Sequence, residues 1–146
     1  MRVTEVMTRA PACCTRETTL QDAAKLMLTN DCGCLPVVEN DSARRVIGVV
    51  TDRDIAVRAV AAGRPPGQCA VGDIMTHPAA LVPESATLEE CVHEMERNQI
   101  RRAVVVNPMG QLVGMVAQAD VARVAPPQQV SGLVHEVSKG MDIGHR

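Results

Sequence analysis

The chain repeats itself, and this limits its fold more than any other feature. Displaced by 68 residues, VTEVMT (residues 3–8) falls on VGDIMT (71–76). Thr19 and Leu20 fall on Thr87 and Leu88, Met27 on Met95, Asn30 on Asn98, and Val37 and Val38 on Val105 and Val106. Past residue 45 the displacement becomes 66, so that Gly48 matches Gly114, Val50 matches Val116, Asp54 matches Asp120 and Ala56 matches Ala122. The two-residue shortening falls in a polar turn, where deletions disturb a fold least. Self-similarity over most of a chain means one structural unit used twice. The expected product is a single pseudo-symmetric domain.

Both units read alike. Thr19 caps a helix running to about Asn30, with Leu20, Ala23, Ala24 and Met27 on one face. In the second unit Thr87 and Glu90 form a capping-box pattern, with Leu88, Cys91, Val92 and Met95 as the apolar face. Short apolar strands follow at 35–38 and 103–106, then polar turns, then returning strands at 46–50 and 112–116. A second helix is predicted from about Asp52 to Ala62, stopped by Gly63; its counterpart starts near Gln118 and ends before Pro126. The order is β-α-β-β-α twice, an α/β fold. The domain plan is repeat 1 over 1–62, a linker rich in Pro and Gly over 63–70, repeat 2 over 71–125, and a C-terminal helix or tail over 126–146. In that last segment Val130, Leu133, Val134 and Val137 share one helical face.

Composition removes several functions. The chain has no Phe, Tyr or Trp, so its core is aliphatic, and no aromatic platform exists for stacking bases. Its net charge of −2 also argues against nucleic acid, whose phosphates call for a basic excess. No apolar run approaches the roughly 18 residues of a membrane span. The opening MRVTEVMTRA is polar and periodic, unlike a signal peptide. A cytoplasmic protein is expected, with its six cysteines reduced and mostly buried. Cys32 and Cys34 form a C-x-C pair without a second pair at ligand spacing, and Cys69, His77, Cys91 and His93 add none, so no metal site is expected. No nucleophile elbow, P-loop or G-x-G-x-x-G occurs, so no enzyme activity is expected.

Each unit resembles a cystathionine-β-synthase-type (CBS) domain. The resemblance rests on the VMT and IMT segments, the capped helices, the CLPVV and AVVV strands, and a closing motif. That motif is complete in Gly48-Val49-Val50-Thr51-Asp52-Arg53-Asp54 and altered in Gly114-Met115-Val116-Ala117-Gln118-Ala119-Asp120. The resemblance covers residues 3 to about 124. TDRDI, RRAVVV and ADVAR further resemble the small stand-alone bacterial CBS-pair proteins of the hypoxic-response type. The resemblance implies a Bateman module: two repeats related by pseudo-twofold symmetry, with two clefts between them, forming a homodimer. It implies regulatory ligand sensing with no required cofactor, the ligand being AMP, ADP, ATP, S-adenosylmethionine or a related adenosyl molecule. The output would act in trans on an unknown regulated protein, since no effector domain is fused to the pair. A ligand-free interaction dimer is the alternative, and a metal or thiol sensor a further one.

The closing motif suits such a ligand. Thr51 ends a strand and Asp54 lies in the first turn of the next helix. Unpaired N–H groups at a helix start favour anions. Thr51 offers a hydroxyl to a phosphate oxygen, and Asp54 offers acceptors to both hydroxyls of a ribose. Acids in a first turn also serve simply as caps, and Asp52 and Asp54 fit that part too. For the first cleft the resemblance adds Val49, Cys34, Thr76, Ala80 and Ile100, with Val49 and Ile100 on either side of an adenine. For the second it adds Thr8, Ala12, Cys32, Arg101, Arg102 and Met115 around Asp120, the arginines neutralising phosphate. Ala117 stands where the first unit has Thr51, and Arg101 and Arg102 where it has Gly33 and Cys34. The second cleft is expected to be weaker, or to depend on its arginines for anions.

Overall fold

The computed structural model describes residues 1–77 and 80–124. The C-terminal helix expected within 126–146 lies outside the described residues. The chain gathers into two compact units, and these cut across the order of the repeats. Among the described residues, one comprises 11–77 and 110–112; the other comprises 1–10, 80–109 and 113–124. Each unit thus borrows a segment from the opposite end of the repeat pattern.

In the unit built on residues 11–77, α1 (Leu20–Asn30) starts where Thr19 leaves the extended conformation and its hydroxyl accepts the Asp22 N–H at 3.1 Å. It stops at Asp31, whose φ of 50° reverses the chain. β2 (Cys34–Val38) and β3 (Val46–Thr51) pair antiparallel, Cys34 facing Thr51 and Val37 facing Gly48. Single bridges extend this ribbon on both sides: Cys14 lies parallel to Val37, and Thr76 antiparallel to Val49. Leu20, Ala23, Met27, Leu35, Val37, Val50, Val71, Ile74 and Met75 are among its core residues. Ala24, expected on the apolar face, is exposed; the stripe turns toward Leu26, which is partly buried. After Thr51 the chain is α-helical only over α2 (Asp52–Asp54) and continues in π-helical turns over Ile55–Val60. Only Ala59 is buried in that stretch, so little packing holds it to the α pitch expected from its sequence. Gly63 then turns the chain with φ 75°. Residues of the segment expected as a linker are tied back to α1: the Gln21 N–H reaches the Pro66 carbonyl at 3.2 Å and the Leu20 N–H the Cys69 carbonyl at 2.9 Å.

The other unit repeats these bonds. A 3₁₀ turn (Val3–Glu5) leads into β1 (Thr8–Arg9); β4 (Leu81–Pro83), α3 (Leu88–Asn98), β5 (Arg102–Val106), β6 (Leu112–Ala117) and α4 (Gln118–Val124) complete it. The sheet order is β1-β6-β5-β4, with Thr8 antiparallel to Met115 and Val82 parallel to Val105. Those two pairings are the images, under the repeat displacements, of Thr76 with Val49 and Cys14 with Val37. The core is built from Val3, Met7, Val82, Leu88, Cys91, Val92, Met95, Val105, Val116 and Val121, among others. Most of these too are images of the other unit's core. The closing-motif glycine has a steric reason. A Cβ at Gly48 would lie 2.7 Å from the Thr76 carbonyl oxygen, and one at Gly114 would lie 3.0 Å from that of Thr8 and 2.8 Å from Met7 Cγ. Glycine lets the borrowed segment come alongside.

Candidate ligand-binding site

Thr51 and Asp54 form a reciprocal cap at the junction of β3 and α2. The Thr51 N–H donates to Asp54 Oδ2 at 3.0 Å, and the Asp54 N–H donates to Thr51 Oγ1 at 3.0 Å. The Asp52 N–H goes to the Gly33 carbonyl at 2.9 Å, and the Arg53 N–H to Asp52 Oδ1 at 2.8 Å. Every N–H from Thr51 to Asp54 is therefore taken by the protein itself. This corrects the expectation that free N–H groups here attract an anion: the acids of the turn already occupy them, as caps do.

What remains is side-chain chemistry. The Thr51 hydroxyl accepts one bond, which leaves its proton to donate. The Asp54 side chain is only 13% exposed, so it does not turn out to water. Arg58 stands beside it, Nε 3.7 Å from Oδ1, and Nη1 of the same guanidinium reaches the Ile74 carbonyl at 3.2 Å. That ion pair is longer than a hydrogen bond. A carboxylate has about four acceptor sites, and one here is occupied by the Thr51 N–H. Val49 and Thr76 exchange two backbone bonds, at 3.0 and 2.9 Å. Cys34 is buried, opposite Thr51. Five of the expected first-cleft residues thus share one unit: Thr51, Asp54, Val49, Cys34 and Thr76. Ala80 and Ile100 belong to the other unit.

The second constellation is a partial copy. The Ala117 N–H donates to Asp120 Oδ2 at 2.8 Å, and the Gln118 N–H to the Arg101 carbonyl at 2.9 Å. Ala117 has no hydroxyl to return the bond. Asp120 is buried and paired with Arg123. Thr8, Met115, Arg101 and Arg102 lie in the same unit as Asp120, with Thr8 opposite Met115; Ala12 and Cys32 belong to the other. Sequence reading missed Arg58 and Arg123. Their i,i+4 and i,i+3 spacing from Asp54 and Asp120 was the available signal.

Among the described residues, no three His, Cys, Asp or Glu side chains gather as a metal site would require. Among them, too, no helix is long and apolar enough to cross a membrane.

Comparison with known proteins gives one consistent family. The CBS-domain model matches residues 3–60 and 71–126. Hypoxic response protein 1 of Mycobacterium tuberculosis is 32% identical over 139 residues, covering 95% of each chain. The crystal structure of hypoxic response protein I with two coordinated zinc ions is similar with a TM-score of 0.76 at 32% identity, covering 86% of this chain and 100% of the other. CBSX2 in complex with AMP is similar with a TM-score of 0.71 at 26% identity, over 85% of this chain and 95% of that one. The CBS domain of a bacterial CNNM/CorC-family Mg²⁺ transporter in complex with ATP gives a TM-score of 0.71 at 25% identity, over 90% and 88%.

Proposed function

The chain belongs to the CBS-domain family, and from that premise we propose that it is a regulatory module that captures an adenine nucleotide or related adenosyl ligand and signals in trans. The observation that carries this reading is the Asp54 carboxylate. It is sheltered, fixed by the Thr51 N–H, and left with acceptor sites for a pair of hydroxyls. The neighbouring Thr51 proton suits a phosphate oxygen. Two structures of this family that are similar to the chain hold AMP and ATP, which supports the same ligand class. Val49, Cys34 and Thr76 would complete the site around Thr51 and Asp54. Thr8, Arg101, Arg102 and Met115 would surround Asp120. The module would act as a homodimer, and nothing in this reading calls for catalysis or an obligate cofactor. A ligand alters such a protein only through unequal affinity for two of its states; the partner would read that difference.

Thermal shift and calorimetry with AMP, ADP, ATP and S-adenosylmethionine test the proposal. A ligand that binds only the folded chain raises its melting temperature. Hydrogen bonds to a charged group contribute about 1.5–3 kcal/mol, so Asp54→Ala should weaken binding about 10- to 100-fold. No shift at millimolar ligand would leave a ligand-free interaction module as the better reading. Zinc is a second reading, favoured by the zinc ions in the similar hypoxic response protein I; elemental analysis of purified protein decides it.

A further inference from the structure

Arg44, in the turn between β2 and β3, is a cation with no anion beside it. Its Nε is shut away from solvent and has no hydrogen-bond partner. Among the described residues no carboxylate pairs with its guanidinium, although the neighbouring Arg45 is paired with Glu39 at 3.7 Å. Burying a charged donor without a partner is costly. The turn nevertheless fixes the residue there. Asn40 Oδ1 accepts the Ala43 N–H at 2.6 Å, and the Asn40 carbonyl accepts the Arg44 N–H at 2.9 Å. Arg44 takes φ 56°, a left-handed conformation that residues with a Cβ disfavour. Its carbonyl accepts the Leu112 N–H at 2.9 Å, and Gln111 Nε2 donates to the Ala43 carbonyl, also at 2.9 Å.

What the guanidinium does meet is a thiol: Arg44 Nη2 donates to Cys13 Sγ at 3.7 Å. Two other thiols act as donors instead, Cys14 to the Pro36 carbonyl at 3.9 Å and Cys69 to Asp73 Oδ2 at 3.8 Å. Cys13 accepts from a cation. It is half-buried, so a small reagent can reach it. Its position is held through Cys14, whose N–H donates to the Pro36 carbonyl at 3.0 Å and whose carbonyl accepts the Val38 N–H at 2.8 Å. Cys13 and Arg44 lie in the same compact unit.

We infer that Cys13, supported by Arg44, is a modification site for peroxides. The sulfur attacks one peroxide oxygen. An S–O bond forms, the O–O bond breaks, and the departing hydroxide takes the thiol proton as water. Cys13 is left as a sulfenic acid, its sulfur oxidised and the peroxide reduced. The guanidinium favours the negative charge that gathers on sulfur as its proton leaves. The added oxygen is also an acceptor of the kind that Arg44 Nε lacks. The site is independent of the adenosyl ligand proposed above.

The test treats the full chain with hydrogen peroxide in the presence of dimedone, which traps sulfenic acids. Fragment mass spectra then locate the adducts and separate Cys13 from Cys14. Cys32, the other half-buried thiol, is the internal control. In the folded chain the adduct should form at Cys13 at least about tenfold faster than at Cys32, and in urea the two should react at similar rates. Arg44→Gln should remove the advantage of Cys13, and Arg44→Lys, which keeps a cation, should retain part of it. The comparison with Cys32 needs no variant, so it decides even where Arg44→Gln does not fold. A disulfide from Cys13 to another thiol also upholds the inference, since a sulfenic acid condenses with a thiol by releasing water. Equal rates at Cys13 and Cys32 in the folded chain, or a Cys13 rate unchanged by Arg44→Gln, would overturn it.

Discussion

Gly48 shows how closely single residues are set. Its missing Cβ makes room for the Thr76 carbonyl, 2.7 Å from where that carbon would stand. Because the obstacle is backbone, Gly48→Ala should destabilise by about 1–3 kcal/mol in urea unfolding. Gly67→Ala, whose Cβ would meet only the flexible end of Gln21 at 3.2 Å, should cost far less. The thiols are graded in the same local way. Burial pushes Cys14 up to about 12 and Cys91 up to about 11, each from a usual value near 9. Iodoacetamide at pH 8 should therefore label half-buried Cys13 and Cys32 first, read by mass spectrometry, and reach Cys14 and Cys91 only on unfolding. The unfolded chain releases these protons near pH 9, while the folded chain keeps them longer. Stability from this source is whole below about pH 9 and is lost as pH rises toward 11–12.

At the scale of elements, α3 is decided at its two ends. Thr87 and Glu90 close a capping box, with the Glu90 N–H 3.1 Å from Thr87 Oγ1 and the Thr87 N–H 3.1 Å from Glu90 Oε1. Gln99 ends the helix in the left-handed region at φ 54°, a conformation that favours glycine. Thr87→Ala should cost about 1 kcal/mol, and Gln99→Gly should gain about 0.5–1 kcal/mol, both measured by thermal unfolding. A matching sign at both ends would contradict this account of the helix. The capping box was legible in the sequence because its chemistry lies within four residues. So were both helices' apolar faces, apart from Ala24, and β2, β3, β5 and β6 to within a residue, whereas the short β1 and β4 were not placed. The π-helical turns after Asp54 were not, because their residues read as an ordinary helix until burial is known. The occupied N–H groups were not either. Thr51, Asp52 and Asp54 read equally well as a vacant anion site or as a closed cap, and only coordinates separate the two.

Over the whole molecule, the repeat in the sequence is also a repeat of hydrogen bonds, but its copies do not fold as written. Val3 and Met7 enter the core of the unit that holds the second repeat's helix, and Val71, Ile74 and Met75 enter that of the first. Periodicity cannot reveal this exchange, since each borrowed segment reads the same whichever core it joins. The closing glycines, needed for the borrowed segment to approach, were its one trace in the sequence. The functional proposal rests on two copies of one corner, each with an aspartate fixed from behind by its own backbone. The most direct measurement is the ¹⁵N–¹H spectrum of the chain during titration with AMP. The account predicts shift changes concentrated at residues 49–54 and, more weakly, at 115–120, diminished at the first corner by Asp54→Ala. A spectrum unmoved at millimolar AMP, or moved only away from both corners, would contradict it.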